Sequence, residues 1–167
     1  MADKGIASVS ASVLSDISKM SIGSTMSYEP VDSGDKWVYT ERLINTASEP
    51  LLPTTQPYID QYANTGAQTT VASGDFYRFL VVKNTGTTDG STASTEGVVI
   101  SLNGDAAAYG EVEGIYVGAG ELWVCKFPAN TTLATPHACT VAVTSDVPSG
   151  TGSDVMCIVA AIIDNVS

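Results

Sequence analysis

The stretch from Asp75 to Ile163 constrains this chain most. It reads as a succession of short β-runs, DFYRFLVVK, GVVISLN, VEGIYVG, GELWVCKF, HACTVAVT and DVMCIVAAII, separated by joints rich in Gly, Ser, Thr and Asn. Runs of this length punctuated by turn residues predict an all-β protein, an antiparallel β-sandwich or a jelly-roll-like barrel. In such a fold the strands supply the core. Only the hydroxyls, amides and carboxylates of the joints are left for chemistry.

The chain has 167 residues, enough for one domain with an appendage. The appendage is residues 1–34, an N-terminal arm, and the β-sandwich domain is 35–167. Within the arm, Ile6, Val9, Val13, Leu14 and Ile17 follow a helical spacing. Serines at 8, 10, 12, 15, 18 and 21 compete for helix backbone bonds. The arm therefore reads as a short helix or an extended strap that takes its structure from a neighbour, with a helix packed on its own domain as the other reading.

Lys36 to Ile44 predicts a strand with Trp37, Tyr39 and Glu41 on one face and Val38, Thr40 and Arg42 on the other. Glu49 to Gly66 carries Pro50, Pro53 and Pro57, which rules out a central strand and predicts a surface-crossing loop tacked down by Leu51, Leu52, Tyr58 and Ile59. Asn103-Gly104 is a hairpin signal. His137, Cys139, Val141 and Val143 are expected to share an apolar face. The run ending at Ile163 is apolar on both faces, so it is either central or pressed against another subunit. Asn84 to Gly97 is small and polar, a surface excursion.

Charged residues make up only 15%, against about 25% in an average soluble domain. The net charge is −11, and the 7 basic residues are scattered. Neutralised phosphates drive nucleic-acid affinity, so nucleic acid is excluded as a partner, as is an anionic membrane surface. The first residues, MADKGIASVSASVLSD, do not read as a secretory signal. Val155 to Ile163 is about half the length of a membrane-spanning helix. Synthesis in a cytoplasm, with Cys125, Cys139 and Cys157 as thiols, is the expectation.

His137 stands two residues before Cys139, which raises a zinc or nucleophile–base site with Cys125 and Cys157. Isolated mid-strand cysteines do not form the knuckles that structural zinc requires, and free cysteine favours the core. Neither a metal nor a cofactor is expected. Glu111, Glu113, Asp75, Asp89, Asp105, Asp146 and Asp154 read as turn and strand-end solvation rather than a glycosidase pair. Tyr109, Tyr116 and Trp123 offer a sugar platform on one reading and strand packing on the other. Signatures of hydrolase elbows, phosphate loops and zinc proteases are missing, and no catalytic residue is assigned.

The series FLVVKNTGTTDGSTASTEGVVISLNG, GIYVGAGELWVCKFP and VMCIVAAIID resembles small β-sandwich structural proteins of tailed bacteriophages, of the marine and cyanophage type. The shared features are the K-N-T-G-T strand exit, the V-G-x-G-E-x-W turn and the closing C-I-V-x-A-I-x-D strand. The resemblance implies a non-enzymatic capsid decoration or cement protein on the virion surface, made in the host cytoplasm. It implies a homo-oligomer, a trimer, clamped on the major capsid protein. The alternative is a tail-fibre or head-fibre module binding a receptor or glycan, through the 84–97 loop or exposed aromatics. For the decoration reading, the expected partner-binding residues are Ile6, Val9, Val13, Leu14 and Ile17 of the arm with Leu51, Leu52 and Tyr58 of the proline-rich loop.

Overall fold

The computed structural model describes residues 5–13, 20–30, 35–52, 71–102, 114–128, 131–132, 136–144, 147–149 and 153–164, with the backbone alone at 10–13, 20–22, 137, 139–144 and 147–149. Every regular element among them is a strand: β1 (Gly5–Val13), β2 (Met20–Tyr28), β3 (Lys36–Ile44), β4 (Glu49–Pro50), β5 (Phe76–Asn84), β6 (Gly97–Ser101), β7 (Ile115–Val117), β8 (Leu122–Lys126), β9 (His137–Thr144), β10 (Val147–Ser149) and β11 (Val155–Asp164). The alternating runs of the sequence thus become β3, β5 to β9 and β11.

Two antiparallel sheets face one another. The first has four strands in the order β3-β11-β5-β8; the second runs β10-β9-β6-β7, with β4 also on β9. Val38, Leu80, Val82, Val159 and Ala161 from the first sheet share one buried core with Val98, Ile100, Val117 and Ala138 from the second. Burying each Val or Leu of this set contributes about 1.5–3 kcal/mol before chain entropy is counted. Two inward faces closing on a shared apolar layer make a β-sandwich.

β11 lies between β3 and β5, antiparallel to both. Its inward residues Val155, Cys157, Val159, Ala161 and Ile163 are buried, and its outward Met156, Ile158 and Ala160 are half-buried. The central position gives the strand a partner on each edge; its outward face is covered by β1 at Ile162, and the rest of that face is half-buried. A register shift at Ile162/Ile163 pairs Ile162 with Phe79 and Ile163 with Tyr77. The extra residue of β5 at this bulge is Arg78, whose guanidinium reaches the Asp164 carboxylate. The bulge breaks simple alternation in β5: Tyr77 and Leu80 both join the core, while Phe79 is buried outside it.

Three expectations need correction or restriction. Residues 6–13 take the extended form and not the helix: β1 pairs with β2 in a nine-residue antiparallel hairpin from Gly5↔Tyr28 to Val13↔Met20. The alternation is visible afterwards, since positions 5, 7, 9, 11 and 13 are Gly, Ala, Val, Ala and Val, with Ile and serines between. Leu14 and Ile17 lie outside the described residues.

The second concerns β9: Ala138, which was not on the expected apolar face of His137, Cys139, Val141 and Val143, is fully buried opposite Ile100, and the side chains of those four lie outside the described residues.

The third is that Leu51 and Leu52, expected at a partner contact, are fully buried. They do tack the proline-rich segment down, helped by the Leu51 N–H donating to the Pro136 carbonyl at 3.0 Å. Pro50 sits in β4, a two-residue strand beside β9, where a missing donor costs little. Tyr58, Ile59 and the Asn103-Gly104 turn fall outside the described residues.

Candidate interaction surface

The K-N-T-G-T exit, the V-G-x-G-E-x-W turn and the start of the closing strand converge at one end of the sandwich. Asn84, fully buried at the end of β5, donates through Nδ2 to the Glu96 carbonyl at 2.8 Å and to the Val117 carbonyl at 3.4 Å. Its Oδ1 accepts from the Gly86 N–H at 2.8 Å, and its own N–H donates to the Glu121 carbonyl at 3.1 Å. The Thr85 hydroxyl donates to the Met156 carbonyl at 2.7 Å, and the Met156 N–H returns to the Thr87 carbonyl at 2.8 Å. Gly86 and Gly120 both have positive φ (71° and 77°), and a Cβ on Gly86 would stand 3.4 Å from the Gly120 nitrogen. The motif residues are therefore structural: they lock strand exit, turn and closing strand together.

The polar loop between β5 and β6 is similarly self-contained. Asp89 accepts from the Thr92 and Ser91 N–H groups at 2.6 and 2.8 Å and from both hydroxyls at 3.0 Å, which holds its carboxyl well below the usual range. Its oxygens are committed to the loop's own shape. Asp75 likewise caps a turn, accepting from the Ala72 N–H at 2.8 Å. Tyr116 and Trp123 do not form one sugar platform. The Tyr116 ring covers Gly97 on the second sheet, and Trp123 packs against the core from β8.

Among the described residues no group of three His, Cys, Asp or Glu is placed to hold a metal ion. Cys125 and Cys157 are free thiols on the first sheet. The pairings Leu80↔Cys125 and Cys157↔Asn84 set them two strands and two pleats apart, about 16 Å. Burial pushes the Cys157 thiol up to about 12. Cys157 is therefore expected to resist a thiol-specific reagent in the native protein and to react once denaturant is added; labelling at equal rates in both states contradicts its placement.

The outward face of the first sheet carries rows set by register. One row holds Trp37, Ile162, Phe79 and Lys126; the next Tyr39, Ala160, Val81 and Val124; the next Glu41, Ile158, Lys83 and Leu122; the last Leu43 and Met156. The hairpin sits on the first row. A Cβ on Gly5 would meet Phe79 Cδ1 at 3.0 Å and Ile162 Cδ1 at 3.2 Å, so only glycine permits this approach without a shift.

Polar contacts pin the hairpin base. The Tyr28 hydroxyl donates to Asp35 at 3.3 Å, and Lys126 Nζ donates to the Ser27 carbonyl at 3.0 Å while lying 5.7 Å over the Tyr28 ring. Desolvation, with the Asp35 charge second, pushes the Tyr28 hydroxyl up to about 12, so it stays a donor throughout the neutral range.

A groove of about 720 Å³ opens between Ile6–Val9 and the strip Val81, Leu122, Trp123 and Val124. Ile6 and Val9 are each 57% exposed. The open rows also expose large apolar side chains: Leu122 59%, Tyr39 50% and Leu43 44%. Of the expected contact residues, Ile6 and Val9 are at this surface and Val13 is on the same strand. Leu51 and Leu52 are in the core, away from it. Tyr39, Leu43 and Leu122 were not expected here, whereas Met156 and Ile158 belong to the closing run whose second apolar face called for cover. Their signal was present, as outward positions of runs whose inward positions alone suffice for a core. Comparison with protein-family models, curated proteins and solved structures finds no match to this chain.

Proposed function

We propose that the protein is a non-enzymatic capsid decoration protein, which binds the outside of a phage head and stabilises junctions between capsomers by adhesion. The observation that supports it best is the hairpin, held to the sandwich at Gly5, Ser27 and Tyr28 and separated from the sheet by a groove at Ile6–Val9. Two-stranded hairpins are marginal in isolation, and among the described residues the seat of this one is at those base positions. Its remaining length is suited to lying on another protein.

Apolar side chains exposed on the arm and the adjacent sheet face supply burial without any need for reaction chemistry. Weak contacts suffice when many copies act together on a repeating surface. The motif resemblance points the same way, and the acidic balance suits a surface facing away from packaged DNA.

The test keeps the hairpin base and removes its reach. Residues 9–24 are replaced by Asn-Gly, so that Ser8 and Thr25, paired in the native register, flank a two-residue turn. The variant should melt like the full chain and occupy purified heads at least about tenfold less in co-sedimentation. Undiminished occupancy would remove the basis for an arm-mediated clamp.

A further inference from the structure

The open rows of the first sheet point to a second copy of this chain. We infer that two copies pack these outward faces together about a two-fold axis running along β11. The inference concerns the free protein and does not rest on the capsid reading.

The register supplies the complementarity. Glu41 of β3 and Lys83 of β5 flank Ile158 of β11 in one row, on opposite sides of the central strand. Both are exposed, and neither forms an ion pair among the described residues. Rotation about an axis along β11 exchanges the β3 side of one copy for the β5 side of the other. Glu41 of each copy then lies over Lys83 of the second, and Ile158 lies over its own equivalent. A two-fold contact repeats every favourable pair, so the row contributes two charge pairs around an apolar centre. Met156, Leu43 and Tyr39 extend that centre along and beside the axis.

Charge also selects this face. The chain carries −11, which opposes self-association over most of its surface. The open patch holds one acid and one base, so two copies can approach there without net repulsion. The hairpin covers the first row at Phe79, Ile162 and Lys126, and its groove reaches Val81 and Leu122–Val124, which leaves the patch open from β3 across β11 to Lys83. At most three strands by three rows are free, about 15 Å by 20 Å or about 300 Å² per copy. That is below the size of a stable interface, so a weak, transient dimer dissociating at about 100 µM or above is expected.

Sedimentation velocity over about 1 to 200 µM reads the contact directly. The wild type should shift from monomer toward dimer at the upper end of that range. Lys83→Glu sets acid over acid twice per contact and should weaken dimerisation at least about tenfold. The double variant Glu41→Lys/Lys83→Glu regains the wild-type net charge and the opposite-sign pairing, and should restore the dimer. Circular dichroism of all three keeps folding defects separate, since both sites are solvent-exposed. A wild type that stays monomeric, a trimer without a dimer, or a double variant no tighter than the single one each overturns the two-fold contact. The hairpin-shortened protein should still dimerise, whatever happens to capsid occupancy.

Discussion

Replacing Asn84 with alanine is expected to cost about 3 kcal/mol and lower the melting temperature by about 10 °C. The amide is fully buried and uses both ends: Nδ2 toward the Glu96 and Val117 carbonyls, Oδ1 toward the Gly86 N–H. Truncation leaves these backbone groups without a partner in an interior where water does not replace it cheaply. Asn84→Asp makes a sharper test. The carboxylate keeps an acceptor for Gly86 but turns a negative charge toward two carbonyl oxygens, which raises its folded-state pKa above the unfolded value. Its penalty is therefore small below the unfolded pKa, where the protonated acid can donate, and grows as pH rises through the folded one. Thermal melts between about pH 4 and 8 should show this variant losing ground to wild type as pH rises. A flat difference would mean that the Asn84 donors carry no stability.

Phe79→Ala should act on the other side of the same sheet. Phe79 is buried but lies outside the two-sheet core, beneath Gly5 and beside Ile162. Deleting the ring removes about 3–5 kcal/mol of packing, and the loss falls first on the hairpin it supports. Hydrogen exchange should show β1 and β2 opening while the β11 ladder keeps most of its protection. Leu80→Ala, one residue along and inside the core, should instead lower protection in both sheets. If Phe79→Ala leaves the hairpin amides as slow as wild type, the hairpin does not depend on this seat.

Strand positions were legible because most runs alternate between a wet and a dry side, and their joints contain residues that only turns favour. Legibility failed where alternation was ambiguous. In β9 both phases hold small or apolar residues, so periodicity alone does not choose the inward one. In the arm, Ile6, Val9 and Val13 satisfied a helical count by coincidence, while the two-residue period was carried by alanines and a glycine, which weigh little in any hydrophobic pattern. In β5 a bulge turned Phe79 outward, and no local pattern announces a bulge. The outward face of the first sheet was half legible. The doubly apolar closing strand promised cover on both sides, but which neighbour provides it depends on pairings far apart in sequence.

The insertion of β11 between β3 and β5 has a consequence for how the molecule is made. As the ribosome delivers the chain, β3 and β5 must wait with facing edges exposed, because the ribbon that joins them emerges after every other strand described here. Contacts spanning well over a hundred residues of sequence then form in one late step. A prematurely terminated chain has a slot where its sheet should be, and chaperones or proteases meet it in that state. Only chains that include β11 can present the completed four-stranded face.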